Sequence, residues 1–231
     1  MWMLLHGFTG SPRSWDPVVA RAALGGEVSC PPLFGHQRDW RERDVSSFAD
    51  EVQRLCALAS SARPPRLIAG YSLGARVALG MLATASELFD GAVLIGVHPG
   101  LGDEEERRAR RELDAERARL LRTDGVEAFV SHWEEQPLFN TQATLGAEAQ
   151  AWQREIRLSH DAEGLARSLD VLGLGAMPCY ADALCATSVP VTLMTGADDT
   201  KFRDLAADLA RRCADVESTL VEGAGHNLVL E

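Results

Sequence analysis

Short apolar runs recur along the chain, each closed by glycine or polar turn residues: Trp2–Leu5, Glu27–Cys30, Arg66–Ala69, Ala92–Val97, Pro190–Thr195 and Val216–Val221. Helical patterns lie between them, over Trp15–Ala23, Val45–Ala62 and Ser72–Leu82. In the second of these, Phe48, Val52, Leu55 and Ala59 recur at the spacing of one helix face, so that face should pack on a sheet. Apolar runs alternating with helices imply βαβ units. The expected class is therefore α/β, with a mostly parallel sheet flanked by helices and the functional loops at the carboxyl ends of the strands. Between the fourth and fifth runs, residues 99–186, the period is helical throughout and no strand signal occurs. Strand–helix connections in such folds usually take about 2–6 residues, so an insertion of this length is expected to be functional. The organisation read from the pattern is one structural domain with a lid: a core of residues 1–98 and 187–231, and a helical cap of residues 99–186.

Composition narrows the function classes. The chain has 231 residues, 46% hydrophobic and 25% charged, which suits one globular core. Its net charge of −11 disfavours nucleic acid and anionic membrane surfaces, which need a basic face. The apolar start Met1–Leu5 runs straight into His6-Gly7, too short for a signal peptide, and reads as a strand. Five cysteines, Cys30, Cys56, Cys179, Cys185 and Cys213, show neither a C-x-x-C pair nor metal-ligand spacing. They read as reduced, mostly buried thiols of a cytoplasmic protein, and neither a metal nor a cofactor is expected.

The candidate chemistry centres on Gly70-Tyr71-Ser72-Leu73-Gly74, a G-x-S-x-G motif between an apolar run and a helical stretch. A strand–turn–helix context of this kind makes a nucleophile elbow, in which flanking glycines permit a sharp turn with Ser72 at its tip. An acid and a histidine should follow in that order. Asp198 and Asp199 come after the fifth run, and spacing from Gly196 favours Asp199; His226 comes after the sixth, with His98 as its competitor. An oxyanion hole needs two backbone N–H groups, expected from Leu73 and from Phe8 in the loop His6-Gly7-Phe8-Thr9-Gly10. His6 is expected to brace that loop. Arg107, Arg110, Arg111 and Asp114 form a charged stripe at helical spacing, which by itself suits a solvated face as well as a ligand site.

At these positions the chain resembles the 2-succinyl-6-hydroxy-2,4-cyclohexadiene-1-carboxylate synthases of menaquinone biosynthesis, α/β-hydrolase-fold lyases. The matching stretches are HGFTGS (His6–Ser11), GYSLGARVAL (Gly70–Leu79), HPGL (His98–Leu101), Arg107–Asp114, WEEQPLF (Trp133–Phe139), DDTKF (Asp198–Phe202) and GAGHN (Gly223–Asn227). The resemblance implies removal of a proton and elimination of pyruvate, with Ser72 as base, His226 activating it and Asp199 orienting the histidine. It also implies a small carboxylate-bearing substrate held by Arg76 and Arg110, with Tyr71 and Trp133 in the site. Relative to that family, the chain starts at the strand before His6 and ends five residues after His226, without the family's leading hairpin and closing helix. A serine esterase or thioesterase on the same triad is the alternative, and a noncatalytic binding module is the third reading.

Overall fold

The computed structural model describes residues 1–231, the side chain of Arg38 aside. Six strands, β1 (Trp2–Leu5), β2 (Val28–Ser29), β3 (Leu67–Tyr71), β4 (Gly91–Ile95), β5 (Val191–Gly196) and β6 (Val216–Val221), form one sheet in the order β2-β1-β3-β4-β5-β6. Every pairing is parallel, from Trp2 opposite Val28 at one edge to Gly196 opposite Val221 at the other. Parallel neighbours require a crossover between successive strands. Between β3 and β4 it is α3 (Leu73–Ala85), and between β5 and β6 it is α8 (Thr200–Arg212).

Two refinements of the expected elements position the site. The third strand runs on through Gly70 and Tyr71, so Ser72 is the first residue beyond it. The first expected helix splits into a 3-10 turn, Pro12–Trp15, and a short α1 (Asp16–Arg21), since Pro12 and Pro17 lack the N–H groups that a longer helix would use. The second, α2 (Phe48–Ser60), starts where the Ser47 hydroxyl accepts the Asp50 N–H at 3.1 Å. Its buried face holds Phe48, Val52, Leu55 and Ala59 as the spacing predicts, together with Glu51. That face packs with α3 residues Val77, Ala78, Leu79 and Met81 in the main core.

Between β4 and β5 the chain runs through α4 (Glu104–Glu134), a 3-10 stretch (Pro137–Thr144), α5 (Ala147–Leu158), α6 (Ala162–Leu172) and α7 (Ala181–Ala186), with no strand. The long α4 breaks at Gly125, whose φ of 81° departs from helical backbone. Ala118, Leu121, Phe129 and Val130 of α4 and Leu165, Ala166 and Leu169 of α6 make a separate apolar cluster. This insertion therefore carries a core of its own. Among the described residues, no helix is long and apolar enough to cross a membrane.

The cysteines depart from expectation. Cys185 at the end of α7 and Cys213 just beyond α8 are joined in a disulfide across a separation of 28 residues. The pairing is tertiary: both helices lie beside the same sheet, and no local spacing announces it. Of the free thiols Cys56 is buried, Cys30 half-buried and Cys179 exposed, so burial is not the rule either.

Glu51 is the most consequential buried charge in the core. Its carboxylate accepts the Phe34 N–H at 2.9 Å and two N–H groups of Arg54 at 2.7 and 2.8 Å. Removing it would leave a buried N–H and a guanidinium without their acceptor, so Glu51→Ala is expected to destabilise the protein by about 3 kcal/mol. Chemical denaturation checks this, as a lowered midpoint with an unchanged slope.

Candidate functional site

Ser72 sits between β3 and α3 with φ of 52°, a left-handed conformation that non-glycine residues rarely adopt. Two contacts hold it there. Its N–H donates to the Ile95 carbonyl at 2.8 Å, and its own carbonyl accepts the Arg76 N–H at 3.1 Å as α3 begins. The turn also depends on close backbone approach, since a β-carbon at Gly74 would collide with the Leu5 and His6 carbonyl oxygens of β1 and its loop. The result lifts the Ser72 side chain off the sheet at the carboxyl ends of the strands.

His226 comes to Ser72 from the loop after β6. Its Nε2 accepts from the Ser72 hydroxyl at 3.1 Å, while its Nδ1 donates to Asp199 Oδ2 at 2.6 Å. Both His226 and Asp199 are buried, whereas Asp198 is exposed and meets the same loop only through its backbone N–H, which donates to the Ala224 carbonyl at 3.0 Å. Gly96, with φ of 57°, makes room for the imidazole: a β-carbon there would lie 2.7 Å from His226 Cε1. The Phe202 ring packs on the imidazole at 4.5 Å. Glu231 accepts the N–H groups of Gly225 at 2.5 Å and Asn227 at 3.2 Å, so one carboxylate brackets the histidine turn. His98 belongs elsewhere in the site. Its Nδ1 accepts the Gly100 N–H at 3.1 Å, and burial, followed by the neighbouring Lys201, Arg76 and Arg110, lowers its pKa to about 4.

Phe8 and Leu73 flank the serine. Leu73 opens α3, so its N–H has no acceptor within the helix, and the Phe8 N–H makes no hydrogen bond among the described residues. The loop bearing Phe8 is tied down from below. His6 is buried, donates from Nδ1 to the Gly7 carbonyl at 2.9 Å and accepts the Leu33 N–H at 3.2 Å, and burial lowers its pKa to about 3. It therefore acts as a neutral brace.

Ser72, Leu73, Phe8, His98 and His226 line a cavity of about 270 Å³. Its wall includes Tyr71, Trp133, Arg76 and Arg110, and also Arg117, Arg157 and Lys201, which the sequence pattern did not single out. Among the described residues, no aspartate or glutamate lines it. Arg76 lies one turn along α3 from Ser72. Its guanidinium donates to the Leu172 carbonyl at 2.8 Å but pairs with no carboxylate among the described residues. Burial and then the nearby Arg110 pull its pKa down to about 9, which leaves it cationic at neutral pH and in need of an anion. Arg110 donates from Nε to both oxygens of Asp114 at 3.0 Å, and Arg117 shares that carboxylate at 3.5 Å. Arg107 and Arg111 instead donate to the carbonyls of Met177 and Gly175, so the charged stripe on α4 splits into one cavity-facing arginine and two that anchor a neighbouring segment. Arg117 lies seven residues past Arg110, on the same helical face, a signal that the spacing contained. The Trp133 ring packs against Phe8, Phe129 and Phe139, lies beneath Arg117, and leaves its indole N–H without a partner among the described residues. No group of three or more side chains among the described residues could hold a metal ion.

The arrangement offers a serine–imidazole–carboxylate relay, two backbone donors beside it, and a cationic chamber. Comparison with known proteins gives it a family. Residues 3–231 match the model of the alpha/beta hydrolase family. A Salmonella heidelberg (strain SL476) 2-succinyl-6-hydroxy-2,4-cyclohexadiene-1-carboxylate synthase is 31% identical over 97% of this chain and 86% of its own. A Bacillus subtilis (strain 168) protein provisionally named as such a synthase is 33% identical over 98% of this chain and 84% of its own. Among solved structures, MenH from S. aureus superposes with a TM-score of 0.93 at 29% identity, covering 100% of this chain and 88% of that one. A carboxylesterase of Nitrososphaera gargenis, at 19% identity and a TM-score of 0.82, shares the fold. A six-stranded parallel sheet, an elbow serine and similarity to these synthases over nearly the whole chain lead to one conclusion: the chain belongs to the alpha/beta hydrolase family and, within it, to the 2-succinyl-6-hydroxy-2,4-cyclohexadiene-1-carboxylate synthases.

Proposed function

We propose that this chain eliminates pyruvate from 2-succinyl-5-enolpyruvyl-6-hydroxy-3-cyclohexene-1-carboxylate, giving 2-succinyl-6-hydroxy-2,4-cyclohexadiene-1-carboxylate for menaquinone biosynthesis. The observation that carries this reading is the cavity wall: Ser72 shares it with Arg76, Arg110, Arg117, Arg157 and Lys201 and with no carboxylate, in a protein of net charge −11. A chamber so charged inside an acidic protein suits a small substrate bearing several carboxylates. In this reading Ser72, His226 and Asp199 are the catalytic triad, Phe8 and Leu73 supply the oxyanion hole, and Arg76, Arg110, Tyr71 and Trp133 bind the substrate. Residues 99–186 serve as the cap over a core of residues 1–98 and 187–231, and the reaction runs in the cytoplasm.

The chemistry follows from the geometry. As the Ser72 hydroxyl gives its proton to His226 Nε2 across 3.1 Å, its oxygen can take a proton from the ring carbon. Negative charge spreads onto the adjacent carbonyl oxygen, where the backbone N–H groups of Phe8 and Leu73 receive it. The electron pair then forms a double bond between the second and third ring carbons, the existing ring double bond moves on by one position, and the carbon–oxygen bond to the enolpyruvyl group at the fifth carbon breaks. The leaving enolate collects a proton and becomes pyruvate. Asp199 holds the imidazole with Nδ1 protonated, which keeps Nε2 free to accept.

Pyruvate release from the enzymatically generated precursor tests the whole reading. Ser72→Ala should lower the rate by roughly 10⁴ or more with the fold retained, and even a tenth of wild-type activity would sink the assignment. In the same assay Asp199→Asn should be far more damaging than Asp198→Asn, because only the former removes the acceptor for His226 Nδ1–H; the reverse ranking would move the acid by one residue.

Arg76→Ala and Arg110→Ala should each cut pyruvate release by roughly ten- to hundredfold, the worth of one charge-assisted hydrogen bond. Neutral p-nitrophenyl esters are the control, with weak turnover that neither substitution changes. Rapid ester hydrolysis without pyruvate release, and indifference to both arginines, would replace the lyase by a serine hydrolase.

A further inference from the structure

Three buried histidines, His6, His36 and His160, lie in a row beneath the loop that carries Phe8, with ring centroids 4.8 Å and 5.2 Å apart along the row. They come from distant parts of the chain: the end of β1, the loop after β2, and the junction of α5 with α6 in the insertion. Each takes hold of a different peptide unit of the loop. His6 Nδ1–H donates to the Gly7 carbonyl at 2.9 Å, which fixes the peptide plane whose other end is the Phe8 N–H. His36 Nε2 accepts the Thr9 N–H at 3.2 Å, fixing the Phe8–Thr9 peptide. His160 Nε2–H donates to the Thr9 carbonyl at 3.1 Å, fixing the Thr9–Gly10 peptide. Thr9 needs such restraint, since its φ of 61° is left-handed and it has no glycine's freedom to adopt that value.

The remaining ring nitrogens are also engaged. His6 Nε2 accepts the Leu33 N–H at 3.2 Å, His36 Nδ1–H donates to the Phe34 carbonyl at 3.1 Å, and His160 Nδ1 accepts the Gln37 N–H at 3.5 Å. Every ring thus gives one proton and receives one, which only a neutral imidazole in a single tautomer can do. No lone pair is left over for a metal.

We propose that His6, His36 and His160 form one positioning unit that aims the Phe8 N–H at the reacting oxygen, one histidine to each successive peptide plane, and that it works only with all three rings neutral. The proposal rests on Phe8 being an oxyanion donor, as proposed above. Adding a proton to His36 would set an N–H against the Thr9 N–H, and on His6 or His160 it would set one against the Leu33 or Gln37 N–H that anchors the ring. The surroundings oppose such protonation. Burial lowers the pKa of all three, most of all for His6 and His36, and the neighbouring rings lower those of His6 and His36 further. The charged group that bears on His6 and His36 is the cation Arg43. The nearby carboxylates are committed elsewhere: Glu51 to the Phe34 N–H and Arg54, and Asp161 to the Gly164 N–H, Trp40 and Arg41. Through His160 the insertion also reaches the loop directly, so its seating and the donor's aim are one structural event.

The test compares His36→Leu and His160→Leu with His36→Gln and His160→Gln in the full chain, following pyruvate release. Glutamine can restore the acceptor or the donor without titrating. Both leucine variants should lose roughly ten- to hundredfold in kcat, short of or matching the loss of one oxyanion donor, with KM changed less than about threefold. The glutamine variants should return to within about threefold of wild type. Nitrogen NMR of ¹⁵N-imidazole-labelled wild type should find His6 and His36 protonated at Nδ1 and His160 at Nε2, unchanged from about pH 8 to about pH 5. Folded leucine variants with kcat within about twofold of wild type, folded glutamine variants as damaged as the leucine ones, or any of the three rings titrating near the ordinary value of about 6.5 would each overturn the proposal. If the leucine variants do not fold, the glutamine variants and the ring tautomers decide. A Ser72→Ala control separates the failures: if it keeps its activity, the proposed function falls first, on its own account.

Discussion

The site depends on one strained turn. Ser72 is held at a φ that costs on the order of 1–3 kcal/mol for a residue with a side chain, and the surrounding structure must over-determine it to keep it there. The sheet does so. Parallel register places Tyr71 beside Ile95, whose carbonyl takes the Ser72 N–H, and α3 presses onto β1 where only Gly74 allows the backbones to meet. The same contact fixes the distance between the start of α3, where Leu73 lies, and the end of β1, where the Phe8 loop begins. A single packing constraint thus sets the serine, one backbone donor and the root of the other.

Charge is arranged in two layers around that turn. The cationic groups at the cavity would repel one another, and the protein offsets this from behind: Asp114 takes Arg110 and Arg117, and Glu134 takes Arg154 and Arg157. Neither carboxylate is among the described residues that line the cavity. Arg76 alone among the arginines of the wall has only a carbonyl and a thioether for partners among the described residues, and burial followed by the nearby Arg110 lowers its pKa. A bound carboxylate would gain most at that position, one helical turn from Ser72.

What could be read from the sequence followed the range of the interactions. The six strands, the elbow at Gly70–Gly74 and the buried face of α2 are local patterns, and their periods are visible in the chain itself. The order of Ser72, Asp199 and His226 along the sequence was also legible, because each follows a strand that ends at the same edge of the sheet. The Cys185–Cys213 pairing was not, since it depends on how two helices settle beside the sheet. Nor were His36 and His160, which in the chain are isolated histidines in unremarkable loops and acquire meaning only when they meet at Thr9. Arg117 marks the boundary: it stands at the right spacing on α4, yet nothing local separates it from Arg107 and Arg111, which turn to carbonyls of a neighbouring segment.

The two parts of the chain contribute unlike things to the cavity. The sheet and its loops supply Ser72, His226, Phe8 and Leu73. The insertion supplies Arg110, Arg117, Arg157 and Trp133. Of the five cationic groups on the wall, three therefore come from the insertion, and only Arg76 and Lys201 from the core. The insertion thus supplies most of the positive charge on the cavity wall, from helices that carry an apolar cluster of their own.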